Sequence, residues 1–441
     1  MGIKVRFFSI ATIFLLGLVL SIGCNHKIAG QNAQPVQTVK EQRPTASVPK
    51  EAINVQSLGA RGDGTADDTT AIQQGVDQAA ATGATVYIPD GIYRIDTLRS
   101  IHMRNNVTME LAAGAVLQAI PNSAPKYMVI AIGNVEHVKI IGGKIQGDRQ
   151  EHFGTDGEWG IGVRITGSKD ITITGLTVND CWGDGFYIGS NSLQPYSEDI
   201  QLIDVRADNN RRQGITLISG RNINIIRPVL TNSHGIAPAA GLSIEPNRNI
   251  EFAENVVIAD AVTANNTEGI VVGLGKLKGS ANSVSIHIIN HRDEGSLRGF
   301  LISSGGWVVP GTISIQRPQW LQSQQNGLRI RDHPYGSFFI EVSQPVITDA
   351  NASGNSDPAI GSGIVLYPWV GGVKIVNPTI RDTRNEPQMV HGIYLWDKTG
   401  VRINEVSIID PLAIEGTTGA KINIQSINSS DVIIEDGYGK L

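Results

Sequence analysis

Two cysteines in 441 residues leave no room for a disulfide framework: at most one bridge can form. Charged residues are scarce too, at 17%, and the net charge of −5 with a pI near 6.0 gives no global basic field for nucleic acid. No apolar run reaches the ~20 residues that a membrane-spanning helix needs. No tight Asp/Glu cluster has the spacing of a calcium loop, so the sequence predicts no metal and no cofactor.

Glycine is abundant instead, with 50 residues, which suits many short strands and tight turns. At the N-terminus, Lys4 and Arg6 precede an apolar run over residues 7–23, which reads as a secretory signal. Its end, Ser21-Ile22-Gly23-Cys24, resembles the lipobox of bacterial lipoproteins, although the expected leucine three places before the cysteine is Ser21. The expectation is a signal peptide over residues 1–24 with Cys24 lipidated. The membrane is then one partner, and the protein is exported to the outer membrane, periplasm or cell surface of a bacterium. Cys181 would be left as a buried thiol. Residues 25–50 lack an apolar period and read as a flexible linker. Residues 51–441 form a single domain in this reading.

From Gly162 onward a Gly-aliphatic phrase recurs at Gly185, Gly214, Gly241, Gly269, Gly299, Gly327, Gly363 and Gly392, at intervals of 23 to 36 residues. The first and third residues after each glycine are apolar, as in Phe186/Ile188 and Ile215/Leu217. Strand alternation sends these pairs to one interior and the second and fourth residues outward. Self-similarity of this period marks a solenoid whose coils bury their faces only against neighbours.

The block over residues 53–95, INVQSLGARGDGTADDTTAIQQGVDQAAATGATVYIPDGIYRI, predicts a short strand over 54–58. A Gly62-Asp63-Gly64 turn follows, then a helix capped by Asp67 or Asp68 and ended by Gly83, and then two further strands. The phrases GARGDGTADDTTAIQ and TVYIPDGIYRI resemble the N-terminal segment of the pectate-lyase-like superfamily, which includes rhamnogalacturonases, polygalacturonases, alginate C5-epimerases and phage tailspikes. The resemblance implies an all-β fold: a single-domain right-handed parallel β-helix whose open N-terminal end is plugged by a capping helix. It implies a carbohydrate substrate and leaves the reaction open.

Aligned on the glycines, residues 148–247 concentrate Trp159, Trp182, Arg211, Asp184, Gln213, Tyr187 and Glu245 on one side. Flat aromatics offer stacking to pyranose rings. Trp159 and Trp182, with Glu158, Asp180 and Gln213, are the expected substrate-binding set. Adjacent Arg211 and Arg212 offer guanidinium forks for a uronate carboxylate. The expected catalytic set is Asp184, Arg211, Arg212, His234, Glu245 and Tyr187. Lyase-type β-elimination from an acidic polysaccharide is the leading reading, with the arginines on the uronate and His234, Tyr187 or an arginine moving the proton. Hydrolysis by Asp184 with Glu245 is the close alternative. In the resemblance to polygalacturonases, Gly183-Asp184-Gly185 and Ser233-His234-Gly235 stand at two of the family's phrases. The family's middle Asp-Asp pair falls on Arg212-Gln213, which departs from the pattern. The epimerase phrase Tyr-Gly-Phe-Asp-Pro-His is absent. A non-catalytic glycan-binding rod is the third reading. Oligomeric state is unreadable from the sequence.

Overall fold

The computed structural model describes residues 52–396, 403–411, 413–424, 432–436 and 439–440. The signal, the linker and Cys24 lie outside the described residues. Within them the chain climbs in right-handed coils of three strands each. One coil runs Phe186–Gly189, Ser197–Ile203, Arg206–Asp208 and re-enters the first sheet at Ile215–Leu217. Equivalent strands stack in parallel into three sheets, one of which ends on a short antiparallel strand, Gly439–Lys440. Sheet A holds Ser197–Ile203 among 15 strands, sheet B holds Arg206–Asp208 among 13, and sheet C holds the post-glycine strands among 12.

Sheet C carries the repeat read from the sequence. Val163 pairs with Phe186, Phe186 with Ile215, Ile215 with Leu242 and Leu242 with Ile270, and the same register continues to Ile393. All nine apolar pairs enter one continuous core. The glycines recur for a steric reason. A Cβ on Gly185, Gly214, Gly241 or Gly269 would stand 2.4–2.8 Å from the carbonyl oxygen of the next glycine in the column. Only a residue without a Cβ lets the backbones approach that closely.

The helix α1 spans Thr69–Thr82 and buries Ile72, Val76 and Ala79 in the same core as Val55 and Val86 of the first coil. It therefore covers an end that would otherwise expose the stacked interior. Gly83 ends it in the left-handed region at φ 76°. The two aspartates share the start: Asp67 accepts from the Thr69 backbone N–H, while Asp68 accepts from the N–H groups of Arg61 and Gly62. The strand expected over 54–58 is instead a 3-10 turn, Val55–Leu58. The Asn54 side chain accepts from the Gln56 N–H and turns the chain there. Cys181 is buried and in no disulfide. Among the described residues no helix is long and apolar enough to cross a membrane.

Candidate active site on the outer face of sheet C

Arg211 and Arg212 are neighbours in sequence and part company in space. Arg211 turns toward the loop before Gly162. Its guanidinium lies 3.7 Å from the Trp182 ring centroid and donates to the Gly157 carbonyl at 2.7 Å. The other face of Trp182 stacks on His152, with centroids 4.2 Å apart, and its Nε1 donates to the Asp156 carbonyl at 3.1 Å. Trp182 is thus engaged by two side chains of the protein itself. Arg211 pins the loop and does not join Arg212 in gripping a carboxylate. Below this layer His152 Nδ1 meets Asp148 at 2.9 Å, both side chains fully buried. Trp159 is half-exposed and lines a separate cavity of about 500 Å³ with Pro125, Thr155 and Arg211.

Arg212 turns the other way, onto the sheet C face, and stands among three carboxylates. Its Nη1 donates to both oxygens of Asp184, at 3.3 and 3.1 Å. Glu158 lies 3.6 Å from Nε, and Glu245 lies 3.9 Å from Nη2. Among the described residues, neither Nε nor Nη2 has a hydrogen-bond partner. The guanidinium is therefore hydrogen-bonded to Asp184 through Nη1 and faces Glu158 and Glu245 through Nε and Nη2. Burial opposes the charge on Arg212, but Asp184, Glu245 and Glu158 outweigh it and hold the group protonated above its ordinary value. An arginine so held is a poor base and a fixed cation.

Asp184 is fully buried, and burial pushes its carboxyl up to about 6 against the pull of Arg212 and Thr216. Both hydrogen-bond partners donate to the carboxylate. Thr216 Oγ1 is 2.9 Å from Asp184 Oδ2 and 2.5 Å from Gln213 Oε1, and Gln213 Nε2 donates to Glu245 Oε2 at 3.1 Å. A hydroxyl has one proton for two acceptors. Thr216 can donate to Asp184 or to Gln213 at one time, and so couples the two.

Glu245 and Arg212 line one end of an open cleft of about 1160 Å³. Asp184 lies beneath them, outside the lining. Further along the cleft, Glu268 is buried and paired with Arg298, whose Nε contacts both carboxylate oxygens at 3.0 Å. Lys276 and Arg331 follow on later coils.

Of the residues named from sequence, Asp184, Arg212, Gln213 and Glu245 converge, with Glu158 at the rim. Tyr187 pairs in register with Thr216 one coil away. Its half-buried ring faces Arg164, and burial raises its phenol. Trp159 and Trp182 stand elsewhere, as described, and so do three others. Asp180 is a turn residue at φ 54° that accepts from Gln146 at 2.6 Å and from Asn209, in a column of polar corner residues. His234 is exposed on the Arg211 side, its carbonyl accepting from Arg149 at 2.6 Å. Arg211 is engaged as described. Glu268 and Arg298 escaped the sequence map, which stopped at Asn247. Both occupy the place immediately before a column glycine, as Asp184 and Gln213 do, and extending the alignment by two coils would have found them.

Comparisons agree with this architecture. A family model for rhamnogalacturonase A/epimerase, pectate lyase-like, matches residues 52–111, and one for a right-handed beta helix region matches 99–257. Protein YclG of Bacillus subtilis (strain 168) is 27% identical over 412 residues, covering 86% of this chain and 66% of YclG. An exo-poly-alpha-D-galacturonosidase of Dickeya chrysanthemi is 38% identical over 80 residues, 18% of this chain and 12% of that protein. The chain thus spans less than two thirds of the length of either relative. Among solved structures, the A-module of the Azotobacter vinelandii mannuronan C-5 epimerase AlgE4 superposes with a TM-score of 0.66 at 20% identity, covering 87% of this chain and 99% of the module. At that identity the likeness is one of fold. The fold and the family models together fit the pectate-lyase-like superfamily of right-handed parallel β-helix proteins.

Proposed function

We propose that the protein is an exported enzyme that modifies a uronate-containing polysaccharide by removing the C5 proton, with lyase-type β-elimination as the outcome. The carrying observation is Arg212: a guanidinium anchored by Asp184 and lining the cleft, with Glu245 3.9 Å from its Nη2. A substrate carboxylate meeting Arg212 from the cleft is neutralised, which acidifies the adjacent C5–H. Glu245 is then the base. The electron pair left on C5 forms the C4–C5 double bond, the C4–O bond breaks, and the leaving oxygen takes a proton from water. Asp184, Thr216 and Gln213 are positioning residues: they set Arg212 and Glu245 and touch no substrate.

Hydrolysis is the second reading, favoured by the proton that Asp184 retains up to a pH of about 6. It ranks lower because Asp184 lies fully buried behind Arg212, out of reach of a glycosidic oxygen. Export rests on the apolar run over residues 7–23, with Cys24 as the lipidated residue. Its test is Cys24→Ala, which is expected to move the protein from the membrane to the soluble fraction.

The reaction is tested by incubating the protein with polygalacturonate, polymannuronate and other polyuronates, reading ultraviolet absorbance of unsaturated uronide against reducing ends. Matching yields of both support elimination. Reducing ends alone would establish hydrolysis, and C5 inversion without chain cleavage would establish epimerisation.

A further inference from the structure

Three consecutive coils beyond the reaction centre expose a large aromatic at the same corner. The turns leaving Arg298–Ser303, Leu328–Arg331 and Ile364–Leu366 for sheet A carry Trp307, Tyr335 and Trp369, which are 43%, 54% and 54% exposed. The turns are tied coil to coil: Gly306 N–H donates to the Asp332 carbonyl at 2.7 Å and Gly371 N–H to the His333 carbonyl at 2.9 Å. Trp369 sits in the left-handed region at φ 68°, where a bulky side chain is strained by about 1 kcal/mol or more. Folding alone gives no reason to hold a half-exposed indole in that conformation. On the preceding coil Lys278 Nζ lies 3.3 Å from the Trp307 ring centroid. Lys278, Trp307, Arg331 and Lys276 line the same cleft as Arg212 and Glu245, and neither lysine has a carboxylate partner among the described residues.

We propose that Trp307, Tyr335 and Trp369 form a carbohydrate-binding platform that holds the chain of an acidic polysaccharide several units away from the bond that reacts. Stacked turns repeat at ~4.8 Å, so the three aromatics follow one another coil by coil along the rod. Sugar rings lie on the aromatics, and their carboxylates meet Lys276 and Arg331 beside them. Continuity with the cationic cleft favours a glycan occupant over a protein. The proposal rests on reading that cleft as a polyuronate site, and it adds a remote anchor that makes affinity depend on chain length.

The test compares wild type with Trp307→Ala/Trp369→Ala, using polygalacturonate and polymannuronate and the corresponding disaccharides. Binding is read by calorimetry and turnover by kcat and KM. The platform predicts that the double variant weakens binding of the polymer by about tenfold more than binding of the disaccharide. It predicts that the turnover penalty falls on KM, and that Trp307→Phe/Trp369→Phe recovers most of the loss. Equal losses on polymer and disaccharide, or no rescue by phenylalanine, overturn it. So does failure of the wild type to bind any acidic polymer, or retention of a protein in place of a glycan. Polymer binding that depends on the two tryptophans, without turnover, would keep the platform and remove the enzymatic reading. Turnover indifferent to both tryptophans would do the reverse.

Discussion

Arg211 and Arg212 show how much one residue of phase decides on a strand. Their adjacency and chemistry were legible in the sequence. Their division of labour was not, because it depends on which carbonyls the loop over 155–157 offers to Arg211. The contacts of Trp182 were hidden for the same reason: the sequence does not show that His152 and Arg211 pack against its ring. Arg212→Lys is expected to keep the charge and lose the two-pronged geometry, so activity should fall by about a hundredfold. Steady-state kinetics alongside Arg212→Ala checks this, and full activity of the lysine variant would remove the fork from the account. Arg211→Ala should instead raise proteolytic cleavage within residues 150–158 and leave kcat within about tenfold. Limited proteolysis and kinetics on the same sample separate the two arginines.

At the scale of the coil, the glycine column and the inward pairs could be read directly, because period-two burial and a steric need for glycine both leave a mark on sequence. Interior polar residues leave none. Asp293 lies inside the rod, accepting from Thr263 at 2.6 Å and Ser296 at 2.7 Å, with Oδ2 unpartnered. His291 continues the network, taking the Trp320 Nε1–H on Nδ1 and meeting Thr263 through Nε2. Burial pushes Asp293 up to about 7 from an ordinary 3.8, against the hydrogen bonds from Thr263 and Ser296. A carboxyl raised on folding contributes stability that is fully present below its unfolded value and is lost as pH rises through the folded one. Wild type should therefore lose a few kcal/mol between about pH 4 and about pH 7. Asp293→Asn should flatten that part of the profile and melt higher than wild type above about pH 7. Thermal melts across pH decide it, and parallel profiles for the two proteins would mean that Asp293 is already ionised in the fold.

For the molecule as a whole, one core runs from Val55 under the capping helix to Ile414, so the rod is cooperative along its length and depends on its end. Ile72→Asp places a charge between α1 and the first coil. The expected result is aggregation through the uncapped end, seen as light scattering with strand content retained. The capping helix was legible because its spacing and turn phrases are local. The cleft was legible only in part: Glu268 and Arg298 stand at the glycine register and could be read by extending it, whereas Lys276 reaches the cleft from a 3-10 turn outside that register. The chemistry turns on whether the rod abstracts a proton from carbon. The most direct measurement is the kinetic isotope effect on kcat/KM for a polyuronate deuterated at C5. Proton removal by Glu245 beside Arg212 predicts an effect well above unity that disappears together with activity in Glu245→Gln. An effect of unity on a polymer that is nonetheless cleaved would contradict it.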